Sequence, residues 1–161
     1  MSKISYLLIT FVILLSGIAV YLSRLTSNSV PAVAVQPTIE ITPTPYYLDE
    51  KLLFESVNKW RIRKGFKSYI EHETLCLIAA YRLTDIQTDW SHNNFVPTVD
   101  RIMGNQTRYI AENLANNRFS EEGTVTAWQN SPSHRENLDA NYKYSCIKTY
   151  KQFAVQIFGN F

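Results

Sequence analysis

The residues best suited to chemistry lie in one stretch, which begins at Glu112 and ends at Asn137. The stretch contains a carboxylate, an aromatic indole and an imidazole, in the order Glu112, Trp128 and His134. Carboxylates and imidazoles are the side chains that most often transfer protons or bind zinc in proteins. The stretch therefore points to acid–base or metal chemistry, provided that the surrounding elements bring these groups together.

Two helices are predicted in the second half of this stretch. Ser120 is followed directly by two glutamates, a pattern typical of a helix N-terminus. That helix should end near Ser131, because Pro132 disfavours helical geometry in the residue before it. A short helix follows, and it begins either with Ser131 as its cap or with Ser133 in a capping box. Both interpretations place His134 in the first turn.

Two further helices are predicted earlier in the chain. Residues 49–65 have apolar residues at helical spacing, and Gly65 closes the segment. Residues 74–90 have the same periodicity, and we expect their buried face to comprise Leu75, Ile78, Ala79, Leu83, Ile86 and Trp90. His92 would then follow the end of the second helix.

The rest of the pattern adds a loop and a short sheet. Residues 93–108 have weak periodicity, so we expect a long loop with one helical turn near residues 100–102. Residues 144–148 and 153–158 are rich in aromatic and branched side chains, which predicts an antiparallel pair of strands. Helices followed by a small sheet indicate the α+β class.

Five motifs, in this order, resemble the bacterial branch of the CAP superfamily. The motifs are His92, AENLA at 111–115, Trp128, SPSHR at 131–135 and AVQIFG at 154–159. The resemblance also includes Asn58, Arg61 and Gly65, and it covers about residues 48–161. The superfamily contains the cysteine-rich secretory proteins, antigen 5 and the plant pathogenesis-related proteins. It implies a three-layer α-β-α sandwich, with helices on both faces of a small antiparallel sheet.

The resemblance also implies a cleft. In the family, two histidines and two acids line this cleft, and some eukaryotic members hold a divalent metal there. His92 matches the first histidine, Glu112 the first acid and His134 the second histidine, whereas Ser131 stands where the second acid falls. Two imidazoles and one carboxylate are chemically sufficient for zinc, with a fourth position open for water. The alternative is a metal-free hydrogen-bonded cluster around Glu112.

Two classes of function fit these residues. We expect a non-enzymatic surface or envelope module that binds a protein, glycan or lipid in its cleft, because the missing acid removes the most obvious general base. The alternative is a metal-assisted hydrolase that acts on envelope peptide or glycan material. A serine hydrolase built on Ser131 or Ser133 with His134 is disfavoured, since sequence neighbours seldom face each other and no Gly-x-Ser-x-Gly elbow is present.

The two cysteines have two interpretations. Cys76 lies in a predicted helix and Cys146 in a predicted strand, and an exported domain could join them. A disulfide closing a loop of about seventy residues contributes on the order of 4 kcal/mol in the chain-entropy model. The alternative is a reactive thiolate, with His72 preceding Cys76 on the same helix. No activating charge or cleft is evident for that thiol, so we disfavour it.

The N-terminal part of the chain is predicted to lie in or near a membrane. Residues 4–22 carry no charge and are long enough, at about 1.5 Å per helical residue, to span a bilayer core of roughly 30 Å. We expect residues 1–24 to be an uncleaved signal anchor, which gives a single-pass cell-membrane protein with an extracytoplasmic domain. The alternative is a cleaved signal peptide and a secreted domain. Residues 25–47 contain four prolines and predict a disordered linker before the folded domain at 48–161.

A group of cations near the end of the first predicted helix raises the question of a nucleic-acid partner. The group consists of Lys59, Arg61, Arg63, Lys64 and Lys67. From residue 48 onward, however, fourteen Lys and Arg stand against thirteen Asp and Glu, so there is no net field to attract a polyanion. Cations are favoured at a helix C-terminus in any case. We therefore expect no nucleic-acid partner.

Overall fold

A computed structural model of the protein describes residues 46–104 and 109–161. They belong to one compact unit that comprises residues 43–161. The predicted signal anchor and nearly all of the predicted linker, residues 1–24 and 25–47, lie outside the described residues. In the two described ranges, no helix combines the length and apolar character needed to cross a bilayer.

Five helices and four strands follow one another in the described part of the chain. The helices are α1 (Glu50–Arg63), α2 (Glu73–Asp85), α3 (Phe95–Met103), α4 (Glu121–Asn130) and α5 (Pro132–Asp139). The strands are β1 (Ile70–Glu71), β2 (Tyr109–Ala115), β3 (Tyr144–Tyr150) and β4 (Phe153–Asn160). Their order is α1, β1, α2, α3, β2, α4, α5, β3 and β4. The predicted α+β class is confirmed.

The four strands form one sheet in the order β1-β3-β4-β2. Strand β4 is antiparallel to both of its neighbours, which confirms the strand pair predicted from residues 144–148 and 153–158. The two-residue strand β1 is parallel to β3, so the expectation of a purely antiparallel sheet is wrong at this edge. The other edge is β2, a strand that was not predicted from the sequence.

Helices cover both faces of the sheet. Helices α1, α4 and α5 pack on one face, where Val57, Val125 and Leu138 meet Phe158. Helices α2 and α3 pack on the other face, where Ile78 and Val99 join a second core containing Ile157. Adjacent residues on a strand point to opposite faces, so β4 supplies both cores. The three-layer arrangement implied by the family resemblance is confirmed.

Of the first two helices, α1 agrees with the prediction from the sequence and α2 agrees only in part. Helix α1 agrees with the prediction: the side chain of Asp49 caps it by accepting from the Leu52 N–H at 2.8 Å. Helix α2 ends at Asp85, five residues earlier than predicted, and Trp90 is 44% exposed instead of lying on the buried face. The chain turns back here because Arg82, in the last turn of α2, donates to the Ser91 carbonyl at 2.7 Å.

Helix α3 is the clearest difference from the prediction. It covers Phe95–Met103, where we expected a long loop with a single turn near residues 100–102. Its sequence contains Pro97, but proline is tolerated in the first turn of a helix because the N–H groups there have no intrahelical acceptor. Packing of Val99 in the core beside α2 stabilises the helix.

Arg61 does not belong to the basic surface suggested by the sequence. It is only 1% exposed and donates to the carbonyl oxygens of Lys67, at 2.8 Å, and Leu138. Burial lowers the pKa of this guanidinium, but the neighbouring Tyr69 hydroxyl accepts from it and partly offsets the cost. Arg61 therefore joins α1 to the end of α5 as part of the core.

Candidate functional site

Glu112 lies in the edge strand β2, opposite Ile157 of β4. Its carboxylate is buried, with only 1% of the side chain exposed, and it faces α2. Arg82 of α2, whose side chain is fully buried, donates from Nε to Oε1 at 2.6 Å and from Nη2 to Oε2 at 3.2 Å. This bidentate ion pair fixes the orientation of the carboxylate, because the planar guanidinium matches the spacing of the two oxygens.

Arg82 also organises the segment that follows α2. Its Nη1 lies 3.2 Å from Oδ2 of Asp85, and Nη2 holds the Ser91 carbonyl. Burial on its own lowers the pKa of Arg82, but the hydrogen bonds and charge of Glu112 raise it above its ordinary value. Arg82 therefore stays charged. It was not among the site residues predicted from the sequence, although a signal was present: it stands seven residues after Leu75, on the apolar stripe of α2.

His92 is placed directly beside Glu112. Its Nδ1 lies 2.7 Å from Oε2, and 56% of its side chain is exposed. A carboxylate only accepts hydrogen bonds, so Nδ1 carries the proton and Nε2 is left for solvent or a ligand. The predicted proximity of His92 and Glu112 is thus present in the structure.

His134 approaches from the other face of the sheet. It lies in the first turn of α5, as predicted, and its carbonyl accepts from Asn113 Nδ2 at 3.0 Å. Asn137 Nδ2 reinforces this link by donating to Asn113 Oδ1 at 2.9 Å and to the Glu112 carbonyl at 3.3 Å. Neighbours on a strand point to opposite sides. Glu112 consequently binds α2, whereas Asn113 binds α5.

The imidazole of His134 has a distinct electrostatic environment. Burial lowers its pKa, and the positive charges of His92 and Arg118 lower the pKa further. No hydrogen bond to this ring occurs within the described residues. Arg118 has a buried Nε that likewise finds no acceptor there. The environment of His134 is therefore rich in positive charge.

Glu112, Arg82 and His92 form what we call the Glu112 cluster, and no hydrogen bond joins Ser131 to it within the described residues. Helix α5 begins at Pro132, which selects the first of the two helix starts considered from the sequence, although the Ser131 side chain makes no capping hydrogen bond. The Ser131 carbonyl accepts from the Arg135 N–H at 2.8 Å. In the described ranges, no hydrogen bond joins the hydroxyl of Ser131 or Ser133 to His134, and the geometry gives no support to a serine nucleophile.

The sequence profile of the cysteine-rich secretory protein family, known as CAP, matches residues 54–154, which is more than half of the chain. The chain belongs to the CAP family. A comparison with curated proteins finds no significant match in sequence.

Solved CAP-type structures share the fold. A cysteine-rich secretory protein from Staphylococcus aureus has a TM-score of 0.62 at 20% identity, over 76% of this chain and 40% of its own. An SCP-domain extracellular protein from Bacillus anthracis has a TM-score of 0.61 at 20% identity, over 70% of this chain and 40% of its own. An outer surface protein from Borrelia burgdorferi has a TM-score of 0.59 at 22% identity, over 73% of this chain and 98% of its own. The match thus covers less than half of the first two proteins.

The family resemblance implies a zinc site formed by His92, Glu112 and His134, and the positions of these side chains test whether they could bind the ion together. Three or more donors from His, Cys, Asp or Glu could hold a metal if they lie within 4.8 Å of one another. Among the described residues, one set meets this condition, and it consists of Glu71, Cys76 and Cys146. The donors of His92, Glu112 and His134 do not form such a set. Arg82 also places a positive charge on Glu112, where a cation would have to bind. As arranged here, these residues do not fit a three-ligand zinc site.

The two cysteines are joined, in agreement with the predicted pairing. Cys76 of α2 and Cys146 of β3 form a disulfide with a Cα–Cα distance of 5.0 Å and a sequence separation of 70 residues. The bond ties α2 to the sheet, in the same layer as the Arg82–Glu112 pair. It leaves no free cysteine, so the alternative of a reactive thiolate is not supported.

Proposed function

We propose that this chain is a membrane-anchored, extracytoplasmic CAP domain that acts as a non-enzymatic binding module of the bacterial cell surface or envelope. The similar structures support the location by their own descriptions, which are secretory, extracellular and outer surface proteins. The apolar run at residues 4–22 supports the anchor. The intramolecular disulfide suits an oxidising compartment outside the cytoplasm.

The non-enzymatic part of this proposal rests on the hydrogen bonds that the Glu112 carboxylate already accepts. Both of its oxygens accept hydrogen bonds from Arg82, and Oε2 also contacts His92. A general base needs a lone pair that its substrate can reach, whereas three of the roughly four acceptor positions of this carboxylate are taken and its side chain is only 1% exposed. The Glu112 carboxylate instead serves as the fixed centre of a cluster that joins α2, β2 and the segment before α3.

The groups that remain for a ligand near Glu112 are imidazoles. His92 is more than half exposed, and His134 makes no side-chain hydrogen bond within the described residues. The free Nε2 of His92 can accept a hydrogen bond, and the His134 ring can both donate and accept, so together they suit a polar group on a protein, glycan or lipid of the envelope. We propose His92 and His134 as the side chains that contact it.

Calorimetric titration with zinc, together with turnover assays on envelope peptides and glycans, tests the non-enzymatic proposal. The proteins compared are the wild type, Glu112→Gln and, as a control, Glu73→Gln, which changes an exposed glutamate on α2. We expect no specific zinc binding and no turnover by any of the three. Zinc binding or turnover that is lost only in Glu112→Gln would favour the alternative, a metal-assisted hydrolase.

The anchor is tested on the full-length chain expressed in bacteria. Fractionation should recover it with the membrane, and mass spectrometry should find residues 4–22 still attached. A mature protein that begins after residue 29, found in the medium, would show instead that the segment is a cleaved signal peptide.

A further inference from the structure

The turn between β3 and β4 is the place where the N-terminal part of the chain joins the domain. The turn consists of Lys151 and Gln152. The Leu48 N–H donates to the Lys151 carbonyl at 2.8 Å, and the Thr149 hydroxyl donates to the Leu48 carbonyl at 2.9 Å. We call the surface around this turn the hairpin end. Because Leu48 is fixed there, the chain enters the domain at the hairpin end.

Two exposed aromatic side chains lie beside the turn. Trp90 is 44% exposed, and its ring centroid lies 5.9 Å from that of Phe153, the first residue of β4. Tyr150, the last residue of β3, is also exposed, and the Lys151 ammonium lies 5.1 Å from its ring centroid. The hairpin end therefore presents an indole and a phenol to solvent, with a lysine next to them.

Two neighbouring segments bring further aromatic residues to the same turn. In the loop between β2 and α4, the Arg118 N–H donates to the Gln152 carbonyl at 3.4 Å, and the next residue, Phe119, is 67% exposed. Tyr47, which directly precedes Leu48, is exposed as well. Four exposed aromatic residues thus belong to, or directly adjoin, the segments that contact this turn. They are Tyr47, Trp90, Phe119 and Tyr150.

These residue types suit the boundary between water and a bilayer. Trp and Tyr are enriched at this boundary, because each combines an apolar ring with a polar group. Lysine can bury its alkyl stem there while its ammonium group stays in water. Asp89 precedes Trp90 in the chain, so the argument rests on the aromatic rings and not on a net positive charge.

The position of the chain entry distinguishes the hairpin end from the opposite end of the sheet. That end also has an exposed aromatic residue, Tyr109, which pairs with Asn160. Strand β4 separates the two ends by roughly 25 Å, at about 3.3 Å per residue. Only residues 23–45 lie between the predicted membrane span and the hairpin end. A short tether raises the effective concentration of the bilayer at the tethered end, so a contact too weak to bind a free domain can still form.

We propose that the hairpin end binds the headgroup region of the bilayer to which the chain is anchored. In this arrangement Trp90, Phe119 and Tyr150 enter the interface, and the Lys151 ammonium remains among the headgroups. The inference rests on the membrane anchor proposed above. It adds a second contact with the membrane, made by the folded domain itself.

The tryptophan fluorescence of the full-length chain in phosphatidylcholine vesicles provides a direct test. The chain has three tryptophans, and Trp60 and Trp128 are only 4% and 1% exposed. Bromine atoms on the acyl chains, close to the headgroup, can therefore quench only Trp90. We expect weaker tryptophan emission in vesicles of the brominated lipid than in vesicles of the same lipid without bromine. Trp90→Phe should abolish this difference.

Variants at the two ends of the sheet provide matched controls. Trp90→Phe combined with Tyr109→Trp moves the exposed indole to the opposite end, where we expect no quenching. Tyr150→Ser should reduce the quenching of Trp90, because it removes a neighbouring ring from the interface. Tyr109→Ser makes the same change at the opposite end and should leave the quenching unchanged. Tyr109 and Tyr150 are both exposed, so these variants should fold.

Flotation of the same vesicles separates this inference from the anchor on which it rests. A chain that floats with the vesicles while Trp90 is not quenched would overturn the contact of the hairpin end and leave the anchor intact. Equal quenching of the indole introduced at position 109 would also overturn it, because the domain would then touch the bilayer without a preferred end. A chain that does not float lacks the anchor, and both proposals would be wrong.

Discussion

Arg82 Nε donates to Glu112 Oε1 at 2.6 Å, and both side chains are almost completely buried. The two residues stand 30 positions apart in the chain and join helix α2 to the edge strand β2. Their pairing satisfies two charges that would each be costly to bury alone. It also sets the position of the carboxylate that His92 contacts, so the stability of this region and the geometry of the site depend on the same ion pair.

Removal of the charge of Glu112 should therefore destabilise the fold. Glu112→Gln should lower the free energy of unfolding by about 3–5 kcal/mol, because it leaves the buried guanidinium of Arg82 incompletely paired. Arg82→Gln should do the same, and the double variant should cost less than the sum of the two. Urea denaturation measures all three. Glu50→Gln is the control, since its pair with Lys148 is partly exposed and should contribute less than about 1 kcal/mol. Strict additivity would contradict direct coupling.

The disulfide should be a major stabilising feature. Replacement of Cys76 or Cys146 with alanine should lower the free energy of unfolding by about 2–5 kcal/mol, because the unfolded chain regains the freedom of a long loop. Thiol titration of the native, non-reduced protein should detect no free thiol. Two reactive thiols in that sample would show that the bond does not form.

His134 should titrate below the ordinary histidine value, because burial opposes its protonation and so do the charge of Arg118 and the charge that His92 carries when it is protonated. Arg118→Gln should raise the pKa of His134, and NMR titration of the ring signals measures both effects. The unfolded chain binds this proton more readily than the folded chain, so His134 should lower stability as pH falls below about 6.5. His134→Gln should reduce that pH dependence. A pKa of His134 that does not respond to Arg118→Gln would contradict the described environment.

The folded domain should not need the first 47 residues. A fragment of residues 48–161 should show a cooperative thermal transition. A fragment of residues 50–161 should be less stable by about 2 kcal/mol or more, since it loses the buried Leu48 and the Asp49 cap of α1. It also loses the bond from the Asp49 N–H to Glu121 Oε1 at 2.8 Å. Equal stability of the two fragments would place the domain boundary later than residue 48.

The sequence by itself determined the local features of this protein. The helix starts at Asp49 and Ser120 follow from side chains that act on the backbone a few residues away, and the sequence narrowed the start of α5 to two positions, of which the structure has Pro132. The strand pair at the C-terminus follows from a run of aromatic and branched residues. The order of motifs indicated the CAP family, and with it the three layers and the approach of His92 to Glu112.

The tertiary structure decided the features that depend on partners distant in the chain. Helix α3 is short, contains Pro97 and has no side-chain cap at its start, and packing of Val99 beside α2 stabilises it. The early end of α2 depends on the bond from Arg82 to Ser91, and the burial of Arg61 depends on hydrogen bonds that it donates to carbonyl groups such as that of Leu138 at the end of α5. The partners of the Glu112 carboxylate could not be predicted from the sequence for the same reason. A carboxylate between a buried guanidinium and an imidazole is a structural centre, whereas the same residue in an open cleft could bind a metal, and only the folded chain distinguishes the two.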